Sequence, residues 1–131
     1  MKLHHHAIIV TDMDKAIETF CEFLGMKFIL RHPGVGEIQE VAFVEDVHSG
    51  HRLELILKPD GTSGELDHIT FEVDDVDAAF DRLKSLGLEV GDEPTDVGKG
   101  NFQFKKIHSS GCRLAHLFTP NKLKIQLIKY D

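Results

Sequence analysis

Several features that define whole classes of protein are scarce in this sequence. It contains no tryptophan, one tyrosine, four prolines and only two cysteines. Cys21 and Cys112 form neither a disulfide framework nor a CxxC motif, which favours a reducing, cytoplasmic location. No apolar run approaches the ~20 residues that span a bilayer, and the opening MKLHHH lacks the apolar region of a secretory signal. The sequence therefore predicts neither a membrane span nor export.

Basic residues are also fewer than acidic ones. The chain has 15 lysines and arginines against 22 aspartates and glutamates, a formal net charge of −7. Nucleic-acid phosphates need a basic protein surface, so this balance argues against a nucleic-acid partner. The length of 131 residues, with 41% hydrophobic and 28% charged residues, is typical of one globular domain.

What the sequence does contain is an internal repeat. The segment LHHHAIIVTDMDKA, residues 3–16, is similar to LDHITFEVDDVDAA, residues 66–79. The matching residues, each 63 positions apart, are His5 and His68, Val10 and Val73, Asp14 and Asp77, and Ala16 and Ala79. Further on, Gly25 and Gly87 are only 62 apart, so the second copy is one residue shorter there. We infer that one unit is present twice.

Each copy has the same local signals. HAIIV and HITFEV are β-branched and aromatic runs of strand length. Asp12 and Asp75 occupy the positions of helix N-caps, and Gly25 and Gly87 those of helix C-termini. Apolar residues at helical spacing predict a buried stripe of Met13, Ala16, Ile17, Phe20, Phe23 and Leu24 in the first copy, and of Val76, Ala79, Phe80, Leu83 and Leu86 in the second.

In each copy, the residues after the helix show the patterns of further β-strands. Each copy reads as strand, helix and three strands, which we designate a βαβββ module. The first module covers residues 1–59 and the second covers 66–131, with a turn-rich linker at 60–65. The second module has a longer loop, at about 92–110, in which Phe102–Ile107 is a candidate extra strand. Together the modules are expected to form one domain.

Two polar residues stand in strands that otherwise look apolar. In RLELILK, Leu53, Leu55 and Leu57 share one face, and Glu54 shares the other with Ile56. The strand thus looks covered on both sides, and a buried carboxylate needs a proton, a cation or a metal. Gln126 has the matching position in KIQLIK. The alternative is a sheet face open to solvent.

His5 and His68 begin the first strand of each module. Either histidine alone is consistent with a structural, hydrogen-bonded role. Together with Glu54 and Gln126 they supply two imidazoles and two oxygen ligands. This set suits one divalent ion such as Zn, Ni, Co, Mn or Fe.

These segments resemble the vicinal oxygen chelate superfamily. The resemblance rests on HHAIIVTDMDKAIETF, on LDHITFEVDDVDAAFDRLKSLG, and on the LELI and IQLI strands. It implies an α+β fold in which two tandem βαβββ modules pair their curved mixed sheets around a central cleft. It also implies His5, Glu54, His68 and Gln126 as ligands of one metal ion. We expect a homodimer, because the two modules leave strand edges exposed and relatives cover such edges by dimerising.

The resemblance further implies a metal-dependent lyase or isomerase of the glyoxalase I or methylmalonyl-CoA epimerase kind. In such enzymes the metal chelates vicinal oxygens of the substrate, and a carboxylate moves a proton through an enediolate. In glyoxalase I-like enzymes a glutamate in the last strand doubles as the base. Gln126 stands there in this chain and cannot take a proton, which leaves Glu54 as the expected catalytic base.

Other members of the superfamily define the alternatives. An extradiol dioxygenase would use His5, His68 and Glu54 around iron. A fosfomycin-resistance-type transferase or hydrolase and a non-catalytic, bleomycin-resistance-like binding protein also remain open. The side chains that would meet an anionic small-molecule substrate are Lys105, Lys106, His108, Arg113 and His116. For these, an exposed polar strand and loop is the alternative.

Overall fold

The computed structural model describes residues 1–97 and 111–131. These residues divide into two compact units, which we call the N-terminal unit (His5–Asp67) and the C-terminal unit (Met1–His4 with His68–Asp131). The candidate strand at Phe102–Ile107, with Lys105, Lys106 and His108, lies outside the described residues. In the described part of the chain, no helix has the length and apolar character needed to cross a membrane.

The order of elements follows the repeat. The first series is β1 (Lys2–Val10), α1 (Met13–Ile17) with a π-helical continuation (Glu18–Phe23), β2 (Lys27–Pro33), β3 (Glu40–Glu45) and β4 (Arg52–Leu57). The second series is β5 (Leu66–Glu72), α2 (Val76–Ser85), β6 (Glu89–Val90), β7 (Thr95–Val97), β8 (Cys112–Phe118) and β9 (Lys124–Tyr130). The short β7 falls within the predicted longer loop.

The strands of each unit form mixed sheet. In the N-terminal unit the order is β2-β3-β4-β1, with β1 parallel to β4 and the other pairs antiparallel. In the C-terminal unit the order is β5-β9-β8-β6, with β5 parallel to β9 and with β7 also paired to β8. The predicted α+β class is confirmed, whereas the pairing of two modules around a central cleft stays a prediction.

Each unit has its own apolar core between the helix and one sheet face. The N-terminal core contains the buried residues Val10, Met13, Ala42, Val44 and Leu55. The C-terminal core contains Val73, Val76, Phe80, Ala115, Leu117 and Leu127. Because side chains alternate along a strand, Leu53, Leu55 and Leu57 share one face as predicted. This face belongs to the N-terminal core, and Glu54 projects from the opposite face.

Both helices begin as the sequence predicts. The Asp12 side chain accepts a hydrogen bond from the backbone amide of Lys15 at 3.1 Å, and Asp75 accepts one from Ala78 at 3.0 Å. Gly25, with φ of 76°, follows the first helix, and its counterpart after α2 is also in the left-handed region. These N-caps satisfy amides that the first helical turn leaves without partners.

The predicted helical stripes are wrong at their ends. Phe23 is 70% exposed and Leu24 is 65% exposed, because the first helix changes from α to π geometry. The Leu24 amide donates to the Thr19 carbonyl, five residues back. In a π turn the bonded residues are five rather than four positions apart, so the turn accommodates the additional residue of the first copy. Leu86, 67% exposed, is the C-cap residue of α2 and lies beyond the buried stripe.

Candidate metal centre

In the N-terminal unit, His5 and Glu54 project from the same sheet face. The parallel register pairs Ala7 with Glu54 and His5 with Arg52, so alternate residues of β1 and β4 share that face. His5 is 1% exposed and Glu54 is 7% exposed. The His5 Nε2 atom lies 3.8 Å from the Glu54 Oε1 atom. The sequence-based prediction of a buried Glu54 is confirmed.

The spacing of this pair fits a shared cation. A distance of 3.8 Å is too long for a hydrogen bond. It is shorter than the sum of one Zn–N and one Zn–O bond, about 4.1 Å. One ion can therefore contact both atoms, and an imidazole with a carboxylate suits Zn, Ni, Co, Mn or Fe.

Apolar packing fixes the imidazole of His5. Its ring lies edge-on to the ring of Phe43, with centroids 5.2 Å apart and an interplanar angle of 82°. Phe43 is fully buried and stands opposite Glu54 in the β3–β4 register. In such surroundings a charge interacts strongly with its neighbours, because little water screens it.

An ion pair lies beside these residues on the same face. Arg52 Nε donates to Glu45 Oε2 at 2.9 Å, and Arg52 is the register partner of His5. The sequence analysis did not single out either residue. Only the strand register, which a single sequence does not reveal, places Arg52 opposite His5 in the sheet.

In the C-terminal unit, His68, Thr70 and Gln126 share one sheet face. Thr70 is the register partner of Gln126, and His68 precedes Thr70 by two residues. His68 is 7% exposed and Thr70 is fully buried. The Thr70 hydroxyl donates to Gln126 Oε1 at 2.8 Å, so the amide oxygen faces β5.

The other end of the Gln126 amide meets a histidine. Gln126 Nε2 lies 3.1 Å from His116 Nε2, and His116 Nδ1 lies 2.9 Å from Asp92 Oδ2. Burial lowers the pKa of His116 below its ordinary value, and the charge of Lys124 acts in the same direction, whereas Asp92 opposes the shift. The net direction favours a neutral imidazole.

The residues suggested as contacts for an anionic substrate have different surroundings. His116 belongs to the network around Gln126 rather than to an exposed strand. Arg113 donates to Asp77 at 2.7 Å and to Asp96 at 3.1 Å, so its guanidinium is paired with carboxylates. The sequence analysis missed Thr70 and Asp92, since neither carries a signal until the strands are paired.

Comparison with known proteins gives a family. A family model described as the Glyoxalase/Bleomycin resistance protein/Dioxygenase superfamily matches residues 2–127. A curated relative from Synechocystis sp., named as a probable lactoylglutathione lyase, is 26% identical to this chain. Their alignment covers 98% of this chain and 95% of the relative.

Solved structures share the fold. Methylmalonyl-CoA epimerase from Mycobacterium tuberculosis has a TM-score of 0.75 at 21% identity, over 99% of this chain and 88% of that one. A triple mutant of 4-hydroxymandelate synthase from Streptomyces coelicolor has a TM-score of 0.77 at 16% identity, over 98% of this chain but only 38% of that one. At these identities the similarity establishes the architecture alone.

Proposed function

Because the chain belongs to the Glyoxalase/Bleomycin resistance protein/Dioxygenase superfamily, we propose that it is a metal-dependent isomerase or lyase. The reaction that we propose removes a proton from the carbon atom next to a carbonyl group of the substrate and returns a proton to the substrate. His5, Glu54, His68 and Gln126 bind one divalent cation, which is Zn, Ni, Co, Mn or Fe. The observation that carries this proposal is the buried His5–Glu54 pair, spaced at 3.8 Å.

Glu54 has the central role in this proposal. A buried carboxylate is stable only with a compensating positive charge or a proton, and a cation supplies that charge. When bound, the cation supplies Lewis acidity toward a substrate that offers two neighbouring oxygens. Glu54 then takes the proton from the substrate carbon, because the amide of Gln126 cannot accept one.

The substrate is proposed to be a small carbonyl compound, anionic in the part that does not react. Lys124 in the C-terminal unit supports this, since it stands two residues before Gln126 on the same face of β9. The two relatives are named as a probable lactoylglutathione lyase and a methylmalonyl-CoA epimerase, and both names denote enzymes of anionic thioester substrates. We also propose a cytoplasmic homodimer, which light scattering of the purified chain tests.

Isotope exchange tests the function. The metal-loaded protein is incubated in D2O with methylmalonyl-CoA or with the hemithioacetal of methylglyoxal and glutathione, and deuterium is followed at the carbon next to the carbonyl. We expect exchange with one of these compounds, and a loss of 10²–10⁴-fold in Glu54→Gln, the usual contribution of a general base.

A matched carboxylate serves as the control. Glu45 lies on the same sheet face but pairs with Arg52, so Glu45→Gln should keep the rate of the unmodified protein. Exchange by Glu54→Gln at the rate of the unmodified protein would remove Glu54 as the base. A protein that catalyses no exchange on either compound, with metal bound, would contradict proton transfer on these substrate classes.

The donor chemistry also favours a second candidate, an extradiol-type dioxygenase. His5, His68 and Glu54 are the buried donors, and they are the two-histidine, one-carboxylate set of non-haem iron oxygenases. The Gln126 amide is already hydrogen-bonded to Thr70 and lies against His116. Oxygen consumption by the iron-loaded protein with a catechol, retained in Gln126→Ala, would support this function over the first.

A further inference from the structure

We propose that His116, oriented by Asp92, is a positioning residue that decides which end of the Gln126 amide faces the cation. This inference rests on the proposed function, in which Gln126 is a metal ligand. The two ends of an amide are nearly equal in size but opposite in chemistry. The oxygen can bind a cation, whereas the NH₂ group is only a donor and repels one. A half-turn of the amide would therefore remove the ligand.

The contacts of Gln126 define one orientation. Thr70 donates its hydroxyl proton to Oε1 at 2.8 Å, and Nε2 lies 3.1 Å from His116 Nε2. The amide nitrogen can only donate, so His116 Nε2 has to be the acceptor and carry no hydrogen. The orientation thus depends on the tautomer of a neighbouring imidazole.

Asp92 selects that tautomer. Its Oδ2 atom lies 2.9 Å from His116 Nδ1, and at that distance a carboxylate oxygen favours an N–H rather than a bare lone pair on the nitrogen that faces it. The hydrogen of the neutral imidazole is therefore on Nδ1, and Nε2 is left as the acceptor. The opposite tautomer would place an N–H on Nε2, which would attract Oε1 and turn the amide of Gln126 around.

The backbone keeps His116 and Asp92 together. The His116 amide donates to the Asp92 carbonyl at 2.9 Å, and the Gly91 amide donates to the His116 carbonyl at 2.9 Å. A Cβ atom at Gly91 would lie 3.1 Å from the Cβ of His116 and 3.0 Å from the ring of Phe118. This close approach explains a glycine at that position, and the two backbone hydrogen bonds keep Asp92 next to His116.

The arrangement leaves Gln126 able to bind a cation. A carbonyl oxygen has two lone pairs, and Thr70 uses one of them. The second remains for the metal. Residues that orient a ligand in this way typically contribute 10–100-fold to metal affinity.

Metal titration calorimetry with Zn²⁺ on the full chain tests the proposal. We expect His116→Leu to raise the Kd by 10–100-fold, and Asp92→Asn to raise it by a smaller factor because the side-chain amide of asparagine would still offer an oxygen. Glu89→Gln is the matched control, since Glu89 is an exposed carboxylate of the same unit that pairs with Lys122 at 2.9 Å. Its Kd should be unchanged. Unchanged affinity in both His116→Leu and Asp92→Asn would overturn the inference.

A double-mutant cycle separates positioning from a merely structural effect. A carboxylate has two equivalent oxygens, so Gln126→Glu makes orientation irrelevant. In the Gln126→Glu background, His116→Leu should then have little effect on the Kd. If the full loss persists in that background, His116 does not act through the amide. Because the Asp92 side chain is 69% exposed, Asp92→Asn is expected to fold even if His116→Leu does not.

Nitrogen NMR of the histidine rings gives a readout that needs no metal. In the metal-free protein we expect His116 protonated on Nδ1 with a bare Nε2, and a mixture of tautomers in Asp92→Asn. The opposite tautomer in the unmodified protein would overturn the inference whatever the metal does. A protein with the expected tautomer that binds no divalent cation would instead overturn the proposed function.

Discussion

The polar centres of the two units occupy matching places in the repeat but use different chemistry. In the N-terminal unit, Glu54 lies 3.8 Å from His5 beside the ring of Phe43. In the C-terminal unit, the equivalent Gln126 stands between Thr70 and His116. A carboxylate presents an oxygen whichever way it turns, whereas an amide has to be oriented. In this chain the amide that stands in the place of a carboxylate is accompanied by neighbouring side chains that orient it.

The helices show a second contrast. α2 is α-helical from Val76 to Ser85, whereas the first helix becomes π-helical at Glu18. Both helices keep their aspartate N-cap and the glycine that follows. The additional residue of the first copy is thus absorbed locally, without changing how the helix begins or ends.

The largest expected effect comes from exchanging the two central residues. Glu54→Gln should lower the rate of proton exchange by 10²–10⁴-fold. Adding Gln126→Glu to it should restore part of the rate, because a carboxylate then stands at the equivalent position. Rates in D2O with the metal-loaded variants measure both effects. Equal rates in the single and double variants would show that the two positions are not interchangeable.

Truncation in the two cores compares their contributions to stability. Leu55 and Leu127 are both fully buried, one in each core. Leu55→Ala and Leu127→Ala should each lower the free energy of unfolding by roughly 2–5 kcal/mol. Urea unfolding followed by circular dichroism measures this. A loss near zero for either variant would contradict its place in a packed core.

The helix caps should be of similar strength despite the different helices. Asp12→Ala and Asp75→Ala should each cost about 1 kcal/mol of stability, the usual value of an N-cap. Asp81→Ala is the control, because Asp81 lies on the exposed side of α2. If only Asp75→Ala lowers the melting temperature in thermal unfolding, the Asp12 cap does not stabilise the helix that continues into the π-helical segment, and the expectation of two equal caps is wrong.

The smallest expected effect is a pH dependence of the N-terminal unit. Burial lowers the pKa of His6, and His51 adds to the shift from a ring nitrogen 2.8 Å away. A lowered pKa means that the folded state disfavours the charged imidazole. The contribution of a neutral His6 to the free energy of unfolding is fully present above the ordinary histidine pKa of 6.5. It is lost as the pH falls from there through the lower pKa that His6 has in the folded protein.

Thermal unfolding between neutral and mildly acidic pH checks this sign. His6→Gln should make the fall in Tm toward acidic pH shallower, because one imidazole that resists protonation is gone. His48→Gln, at an exposed position, provides the comparison. An identical pH slope in His6→Gln and the unmodified protein would remove His6 from the explanation.

Much of the fold could be predicted because its signals are local. β1 contains the HAIIV run predicted as a strand, and the aspartate caps lie where expected. Alternation along RLELILK indicated a strand covered on both sides, with an open face as the alternative, and the 7% exposure of Glu54 agrees with the covered strand. The π turn was not predictable, because the offset of the repeat locates an additional residue without saying which hydrogen bonds absorb it. Phe23 and Leu24 were therefore assigned to the wrong environment.

Part of the candidate site could likewise be predicted from the sequence, and part of it could not. His5, Glu54, His68 and Gln126 were candidates because their residue types repeat at matching positions. The network around Gln126 depends on Thr70 facing it across β5 and β9 and on Asp92 returning to β8 from a distant turn. Strand register and loop closure are tertiary properties. No spacing in the sequence encodes them.

The most direct test is the number of divalent cations bound per chain. Zn²⁺ titration should give one ion per chain in the unmodified protein, and both His5→Ala and His68→Ala should abolish that binding, since one histidine comes from each unit. Two ions per chain, with one surviving in each variant, would contradict the proposal that His5 and His68 are ligands of the same ion. Full affinity in either variant would contradict it equally.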